Sequence, residues 1–528
     1  MKSKHQSKEN QPVNKKPEGI LILDFGGQYC HLIARRVREM RVYSEILPCD
    51  SSPSEIEDLD AVMQLRGIIL SGSPSSIRAE GAPKLSENVL ERNLPILGLC
   101  YGHQLIAHMF GGDVRKGEKR EYGITYVTID NPEGVLEGMG PIEEVWMSHG
   151  DTVFSLPIDF KVLAHTEIAP VAAFRHSSRP IYGLQWHPEV VHTKRGGEML
   201  QNFVIDICGC RPDWEPFEVI DQAVEEIREI VGDSTAIIAY SGGVDSSVAT
   251  VLASKALGDG LIAVHVDHGF MRLNESSTME EVLEGFGVRM IVVRAQDQFL
   301  VRIRGVTDPE VKRKIIGEEF IRVFEAEARR FGAEYLIQGT IYPDRIESGF
   351  RRHSDKIKTH HNVGGLPLNM EFRAVIEPLR NLYKDEVRVL GAQLGLSENI
   401  VRQQPFPGPG LAVRIIGEVT REKLDILRRV DAIVREEVES SKIVEKAWQY
   451  LAVLLDTKST GIKGDERAYG ATAVVRIVES VDGMTANFSK VPWDILEQLS
   501  TRITNEIPEV TRVVYDITHK PPATIEWE

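Results

Sequence analysis

From Gly19 onward, short β-branched or leucine-rich runs alternate with segments whose apolar residues recur at helical spacing. That alternation limits the fold more than any other feature of the chain. Strand–helix repeats bury their apolar faces as parallel sheets covered by helices. Gly19–Asp24, Gly67–Ser71, Leu94–Leu99 and Ile181–Gln185 read as strands of one α/β unit, with helices over Leu32–Met40, His103–Phe110 and Gly196–Ile207. Thr125–Ile129 and Glu144–Met147 add a strand-rich stretch. Cys208–Pro216, with two prolines and a glycine, reads as a linker. A helix over Pro216–Val231 then opens a second α/β unit with strands Thr235–Tyr240, Leu261–Asp267, Arg289–Val293 and Tyr335–Gln338. The run Pro405-Phe406-Pro407-Gly408-Pro409-Gly410 marks the next boundary. Beyond it a β-α-β-β-α-β order is predicted, beginning with a strand at Leu411–Ile416.

The 528 residues suit about three domains at ~150 residues each. The predicted boundaries are a disordered tail at 1–18, then 19–212, 213–403 and 404–528. A net charge of −16 argues against nucleic acid or an anionic membrane as the main partner. No apolar run approaches the ~18–20 residues of a membrane span. Met1–Pro17 carries no apolar leader, so a cytoplasmic location is expected. Five sparse cysteines make no disulfide framework, and Cys208-Gly209-Cys210 reads as the end of a packed helix.

Two strand-to-helix junctions carry chemistry. Gly98-Leu99-Cys100-Tyr101-Gly102 is a nucleophile elbow with cysteine in the serine position. Glycines on either side let the backbones approach, and the helix N-terminus favours a thiolate. Gln185-Trp186-His187-Pro188-Glu189 supplies a base and its acid. His187 and Glu189 lie two apart in an extended stretch, so one imidazole nitrogen meets the carboxylate while the other faces Cys100. His149 is the competing base, and His187 is preferred. The second junction is Ser241-Gly242-Gly243-Val244-Asp245-Ser246-Ser247, between a strand and a helix. Such a loop suits phosphates, yet it lacks the Gly-Lys-Ser/Thr ending of a Walker A motif. Asp245 is expected to act through Mg²⁺ bound with the nucleotide, or by holding the loop. Asp267 ends the next strand at the edge where such sheets bind ligands, a turn cap being the plainer role. Asp344 and Glu347, with Lys358, Thr359, His360 and His361, read as a mobile lid over the phosphates.

These blocks resemble known families. Cys100, His187 and Glu189, with Asp24–Gln28, Ser71–Pro74 and Ser148–Asp151, resemble the class I glutamine amidotransferases from Gly19 to Cys210. The resemblance implies an oxyanion hole from the Gly72 and Tyr101 N–H groups. It also implies a glutamine seat at Gln104, Ser148, His149, Gly150 and Asp151. Ser241–Ser247 resembles the N-type ATP pyrophosphatases, with Asp267 beside the nucleotide. Gly305–Glu310, Lys312–Gly317, the lid string, Phe406–Leu411 and Lys520–Glu528 resemble the glutamine-hydrolysing GMP synthase family over nearly the whole chain. Asparagine, NAD, carbamoyl-phosphate and CTP synthetases each differ in one of the two modules. The implied fold is an α/β amidotransferase domain, a doubly wound parallel-sheet pyrophosphatase domain and a small α+β dimerisation domain. The implied activity is a ligase that aminates XMP with glutamine nitrogen at the expense of ATP. It needs Mg²⁺ and no prosthetic group, and the protein would be a homodimer. Arg313, Gln449, Arg512, Lys520, Ile525 and Glu526 would bind XMP. Asp456 departs from the family pattern, which has proline there, and Tyr450 and Tyr469 vary nearby.

Overall fold

A computed structural model describes residues 16–216, 218–344, 372–463, 465–480, 483 and 485–528. They form two compact units, one ending at Glu215 and the other beginning at Pro216. Among the described residues no helix is long and apolar enough to cross a membrane.

The first unit is built on β1 (Glu18–Asp24), β2 (Tyr43–Pro48), β3 (Gln64–Leu70), β4 (Ile96–Leu99), β5 (Asp113–Ile129), β6 (Ile142–Ser155), β7 (Phe160–His165), β8 (Ala173–His176) and β9 (Ile181–Leu184). Their order is β2-β1-β3-β4-β9-β8-β7-β5-β6. The pairs from β2 to β9 are parallel and those from β9 to β6 antiparallel. Ile20, Leu21, Ile22 and Leu23 are wholly buried, as an unbroken apolar run covered on both faces requires. Of the predicted tail, residues 16–18 are placed. Gln64 N donates to the Pro17 carbonyl at 2.8 Å, and Glu18 opens β1. Burial pushes the Glu18 carboxyl up, but hydrogen bonds from Arg66 and Arg211 outweigh it and hold the group at about 2. Residues 1–15 of that tail lie outside the described residues. The helix Gly196–Gln201 widens into a π turn over Asn202–Ile207 and ends at buried Cys208 and Cys210, which are free thiols.

The second unit holds β10 (Ala236–Ala239), β11 (Leu261–Asp267), β12 (Met290–Arg294), β13 (Tyr335–Ile337) and β14 (Ala374–Ile376), in the order β12-β11-β10-β13-β14. All four pairings are parallel. A second sheet follows, with β15 (Gln449–Lys463), β16 (Glu466–Glu479), β17 (Asn487–Phe488) and β18 (Val510–Tyr515). β15 runs antiparallel to β16, while β18 pairs parallel with it. Helices Arg421–Glu439 and Trp493–Glu506 add apolar residues to a core that runs without a break from Ile237 to Val510.

The strand predicted at Leu411–Ile416 does not form. Gly410–Arg414 makes a 3₁₀ turn, and only Ile415 bridges to Leu454. Gly410 has φ +62, and a Cβ there would lie 2.3 Å from the Phe270 carbonyl oxygen. Leu411 N donates to that same oxygen at 2.8 Å. Leu411, Ala412 and Val413 therefore fill the junction between the two sheets. A short apolar run buried on every side has no period that separates a strand from a packed turn.

Candidate active sites

β4 ends at Leu99, and the helix Tyr101–Met109 begins one residue after Cys100. Cys100 has φ 51 and ψ −100, a strained conformation for a residue with a side chain. Two close approaches impose it. A Cβ on Gly98 would lie 2.5 Å from the Gly102 carbonyl, and one on Gly102 would lie 2.6 Å from the Leu70 carbonyl oxygen. His187 Nδ1 and Glu189 Oε1 are 2.7 Å apart, both side chains being buried. The Tyr29 ring lies edge-on to His187 at 5.0 Å. A Cβ on Gly72 would stand 3.1 Å from His187 Cε1 and 3.8 Å from Cys100 Cβ, so Gly72 closes one side of the pair. Tyr101 N lies in the first helical turn, where N–H groups point out of the helix.

Burial disfavours a charged His187. The charges of Glu189 and Cys100, and their hydrogen bonds, outweigh it and raise the imidazole well above its ordinary value. A raised folded-state pKa contributes stability that is fully present below about 6.5 and is lost as pH climbs through the raised value. Glu189→Gln should therefore lower Tm more at pH 6 than at the most alkaline pH the fold survives, in thermal melts. An equal drop at both would mean that Glu189 acts by packing alone.

His149 is committed elsewhere. Its Nδ1 meets the Asp151 carbonyl at 2.9 Å and its Nε2 meets Glu121 Oε2 at 3.0 Å. The carboxylate two residues beyond it, on Asp151, accepts from Ser76 Oγ at 2.5 Å instead. The Cys100 thiol reaches the Ser148 carbonyl at 3.6 Å, and Gln104 Nε2 donates to Asp151 O at 2.8 Å. Ser148, His149, Gly150 and Asp151 thus lie on β6 beside Cys100.

The second loop joins β10 to the helix Val244–Leu257. Gly242 has φ +77, and a Cβ there would collide with Met279 at 2.0 Å. Ser246 and Ser247 donate to the Gly243 carbonyl at 3.0 and 2.9 Å, and the Ser241 and Ser246 hydroxyls are 3.0 Å apart. The hydroxyls knit the loop while its N–H groups open at the helix start. Asp245 Oδ2 accepts from Lys384 Nζ at 2.5 Å, and Asp245 Oδ1 is buried with no hydrogen-bond partner among the described residues. Lys384 escaped the sequence reading because no motif surrounds it. Asp267 caps a turn: Gly269 N donates to its Oδ1 at 3.1 Å and Gln296 Nε2 to its Oδ2 at 2.8 Å. Of the predicted lid, Asp344 is described, whereas Glu347, Lys358, Thr359, His360 and His361 lie outside the described residues. Among the described residues no three His, Cys, Asp or Glu side chains gather as a metal site.

Residues 516–528 pack back onto the second unit around three cations with no exposed surface, Lys312, Arg414 and Arg476. Arg476 donates to the Thr518, Thr524 and Ile525 carbonyls at 3.0, 2.9 and 2.9 Å and pairs with Asp516. Arg414 grips Glu526 through two bonds of 3.0 and 2.8 Å. Gln449 Nε2 also donates to Glu526, at 2.7 Å. Lys312 reaches Glu528 at 2.5 Å and the Ile415 carbonyl at 2.7 Å. Arg313 donates to the Glu528 backbone. Lys520 Nζ donates to the Gly483 carbonyl at 2.7 Å, and Arg512 is exposed on β18. An open cleft of about 670 Å³ is walled by Asp516, Thr518, Pro522, Thr524, Glu526 and Trp527, among others. Of the six predicted XMP residues only Glu526 lines it. Asp456 sits in a bulge of β15 and accepts from Lys423 at 2.6 Å. The sequence reading missed Arg414 and Arg476, although an arginine inside an apolar run was a signal for a buried partner.

A family model for class-I glutamine amidotransferase matches residues 21–207, and one for the GMP synthase C terminal domain matches residues 436–527. The GMP synthase [glutamine-hydrolyzing] of Caldicellulosiruptor saccharolyticus is 52% identical over 513 residues, covering 97% of this chain and 99% of that one. That of Clostridium tetani is 50% identical over 515 residues, covering 97% and 100%. That of Acetivibrio thermocellus is 52% identical over 513 residues, again covering 97% and 99%.

Proposed function

The chain belongs to the glutamine-hydrolysing GMP synthase family, and on that footing we propose that it converts XMP, ATP and glutamine into GMP, AMP, pyrophosphate and glutamate. The observation that carries this reading is the pairing of two unlike sites on one chain. One is a thiol with a buried His–Glu pair. The other is a hydroxyl-lined phosphate loop between a strand and a helix. Residues 19–212 would be the glutaminase, 213–403 the ATP pyrophosphatase, and 404–528 the XMP-binding and dimerisation part. Exposed Ile462, Tyr469 and Val514 on the second sheet give a dimer apolar surface to cover. The work is expected to be done in the cytoplasm.

In this reading the Cys100 proton already rests on His187, so Cys100 attacks the glutamine amide carbon as a thiolate and His187 gives the proton to the departing nitrogen, with Glu189 orienting the imidazole. Gly72 and Tyr101 N–H groups would face the oxyanion. Ammonia leaves, and water cleaves the thioester to glutamate. At the other site the XMP O2 oxygen attacks the α-phosphorus of ATP, pyrophosphate leaves into the Ser241–Ser247 cradle, and ammonia displaces AMP from C2. Bulk water would turn ammonia into ammonium, which has no free lone pair. Glutaminase turnover should therefore be slow until XMP and ATP are bound. Mg²⁺ bound with ATP would neutralise charge on the leaving pyrophosphate. Asp245 Oδ1, buried with no hydrogen-bond partner among the described residues, fits a hard cation whose remaining ligands are phosphate oxygens and water.

XMP would be held by Arg313, Gln449, Arg512, Lys520, Ile525 and Glu526. Gln449 and Glu526 already bond each other, so they would recognise it as a unit. Lys520→Ala should raise the KM for XMP about ten- to a hundred-fold, the worth of a charge-assisted contact. The KM for ATP and basal glutaminase should hardly move. An unchanged XMP KM would remove Lys520 from the site. The whole reading is tested by measuring AMP and GMP formed from ATP, glutamine and XMP, with IMP and UMP as alternative acceptors. AMP release with another nucleotide and none with XMP would overturn it.

A further inference from the structure

We infer that Glu121 is a positioning residue of the glutaminase: it holds His149 and, through it, the Ser148–Asp151 stretch of β6 beside Cys100, where the bulge in β5 turns the pair of strands. The inference rests on the reading of that stretch as the glutamine seat.

The backbone brings Glu121 to this place by an interruption in the sheet. β5 pairs with β6 as far as Lys116, opposite Asp151, and resumes at Glu121, opposite His149. Residues 117–120 thus stand against Gly150 alone. The bulge shifts β5 so that a carboxylate, in a strand otherwise edged with solvent-facing Tyr122, Ile124 and Tyr126, turns inward. A buried carboxylate is costly unless hydrogen-bonded, and this one is engaged on both oxygens. Oε2 meets His149 Nε2 at 3.0 Å, and Oε1 accepts from Thr166 Oγ1 at 3.0 Å.

The far side of the imidazole is held as well. His149 Nδ1 meets the Asp151 carbonyl at 2.9 Å, and Gln104 Nε2 donates to the same oxygen at 2.8 Å. Gln104 rides on the helix that starts after Cys100, and it also donates to Gln185 Oε1 at 3.1 Å, two residues before His187. Thr166, Glu121, His149, Asp151 and Gln104 therefore form one hydrogen-bonded chain. It runs from β5 across that stretch to the helix that carries the nucleophile. With both ring nitrogens engaged, His149 is locked in rotation, and the stretch is preformed before glutamine arrives. Removing Glu121 frees the ring and loosens the stretch, while Cys100, His187 and Glu189 keep their own contacts. The loss should fall on glutamine binding and spare the chemistry.

The test uses the full-length protein. Glutamine KM and kcat are measured for Glu121→Ala, Glu121→Gln and Thr166→Val, with Asp151→Asn as a parallel test of the stretch itself. Iodoacetamide alkylation of Cys100 reports the state of the nucleophile. Glu121→Ala should raise the glutamine KM about ten-fold or more, with kcat and alkylation rate within about three-fold. Glu121→Gln, which keeps the side-chain size and a hydrogen bond, should recover part of the loss. Thr166→Val, which unpairs Oε1 and also takes the acceptor from Ile168 N and Ala169 N, leaves the Glu121–His149 contact in place and should raise the KM less than Glu121→Ala does. If Asp151→Asn raises the KM and no Glu121 or Thr166 variant does, the inference is overturned and the glutamine seat stands. If none of the four raises it, the seat is wrong and the inference falls with it. A loss of kcat and alkylation together, at unchanged KM, would make Glu121 a support of the nucleophile and overturn its role in holding the stretch.

Discussion

Cys100→Ala is expected to abolish GMP formation from glutamine, by at least about 10³-fold, and to leave synthesis from ammonium salts at high pH within about two-fold. The first half follows from the geometry of the elbow. The Cys100 thiol lies beside the buried His187–Glu189 pair and is the proposed nucleophile, and no other described cysteine is placed to replace it. Burial pushes Cys49 up to about 12 and Cys208 higher still, which suits packed thiols rather than nucleophiles. The second half follows from the division of the chain. The phosphate loop, Lys384 and the C-terminal anchors all belong to the second unit, and none needs the thiol. Free ammonia, abundant only at high pH, bypasses the glutaminase. GMP assays with glutamine and with ammonium chloride read both halves. Loss of both activities in a variant of normal melting temperature would refute the two-site reading.

Asp245→Ala is expected to remove adenylation whichever nitrogen source is offered, by roughly 10²–10³-fold. Asp245 lies in the first turn of the helix behind the loop and is paired with Lys384, at the N-terminus of the helix Lys384–Gln393. Deleting the carboxylate would remove the proposed ligand for the Mg²⁺ that accompanies ATP, and it releases the lysine from its partner. Lys384→Ala should also slow pyrophosphate release. The double variant should fall well short of the product of the two losses, because the residues are in contact. Pyrophosphate release from ATP and XMP, with no nitrogen donor present, is the assay. Normal release from Asp245→Ala would reduce Ser241–Ser247 to a structural turn.

What could be read in the sequence was what is local. The elbow needs five consecutive residues and the His–Glu pair three, and the glycine at Gly98 is demanded by the backbone of Gly102, four residues on. The alternation of strands and helices pointed, for the same reason, to the parallel half of the first sheet and to the parallel sheet of the second unit. Lys384 and Glu121 could not be found that way. Lys384 lies 139 residues from Asp245, and Glu121 meets His149 only because a bulge resets the register of two strands. Leu411–Ile416 failed for lack of a period, since burial on all sides erases the signal that separates a strand from a turn. The C-terminal segment is held through its polar groups, and Trp527 stays exposed, so apolar patterning gave no guide to its anchoring. The arginines that hold it went unseen.

Those arginines set an order of events during synthesis. Lys312, Arg414 and Arg476 are sealed from solvent, and much of what neutralises them sits in residues 516–528. A chain growing from its N-terminus makes the cations long before their partners. A buried charge without its partner costs several kcal/mol, so these side chains stay hydrated until residues 516–528 emerge from the ribosome. The glutaminase unit has its described parts complete by Glu215 and can fold during translation. The second unit must wait for its end to be made. Nascent chains stalled before residue 516 should therefore carry a protease-resistant glutaminase followed by a protease-sensitive synthetase.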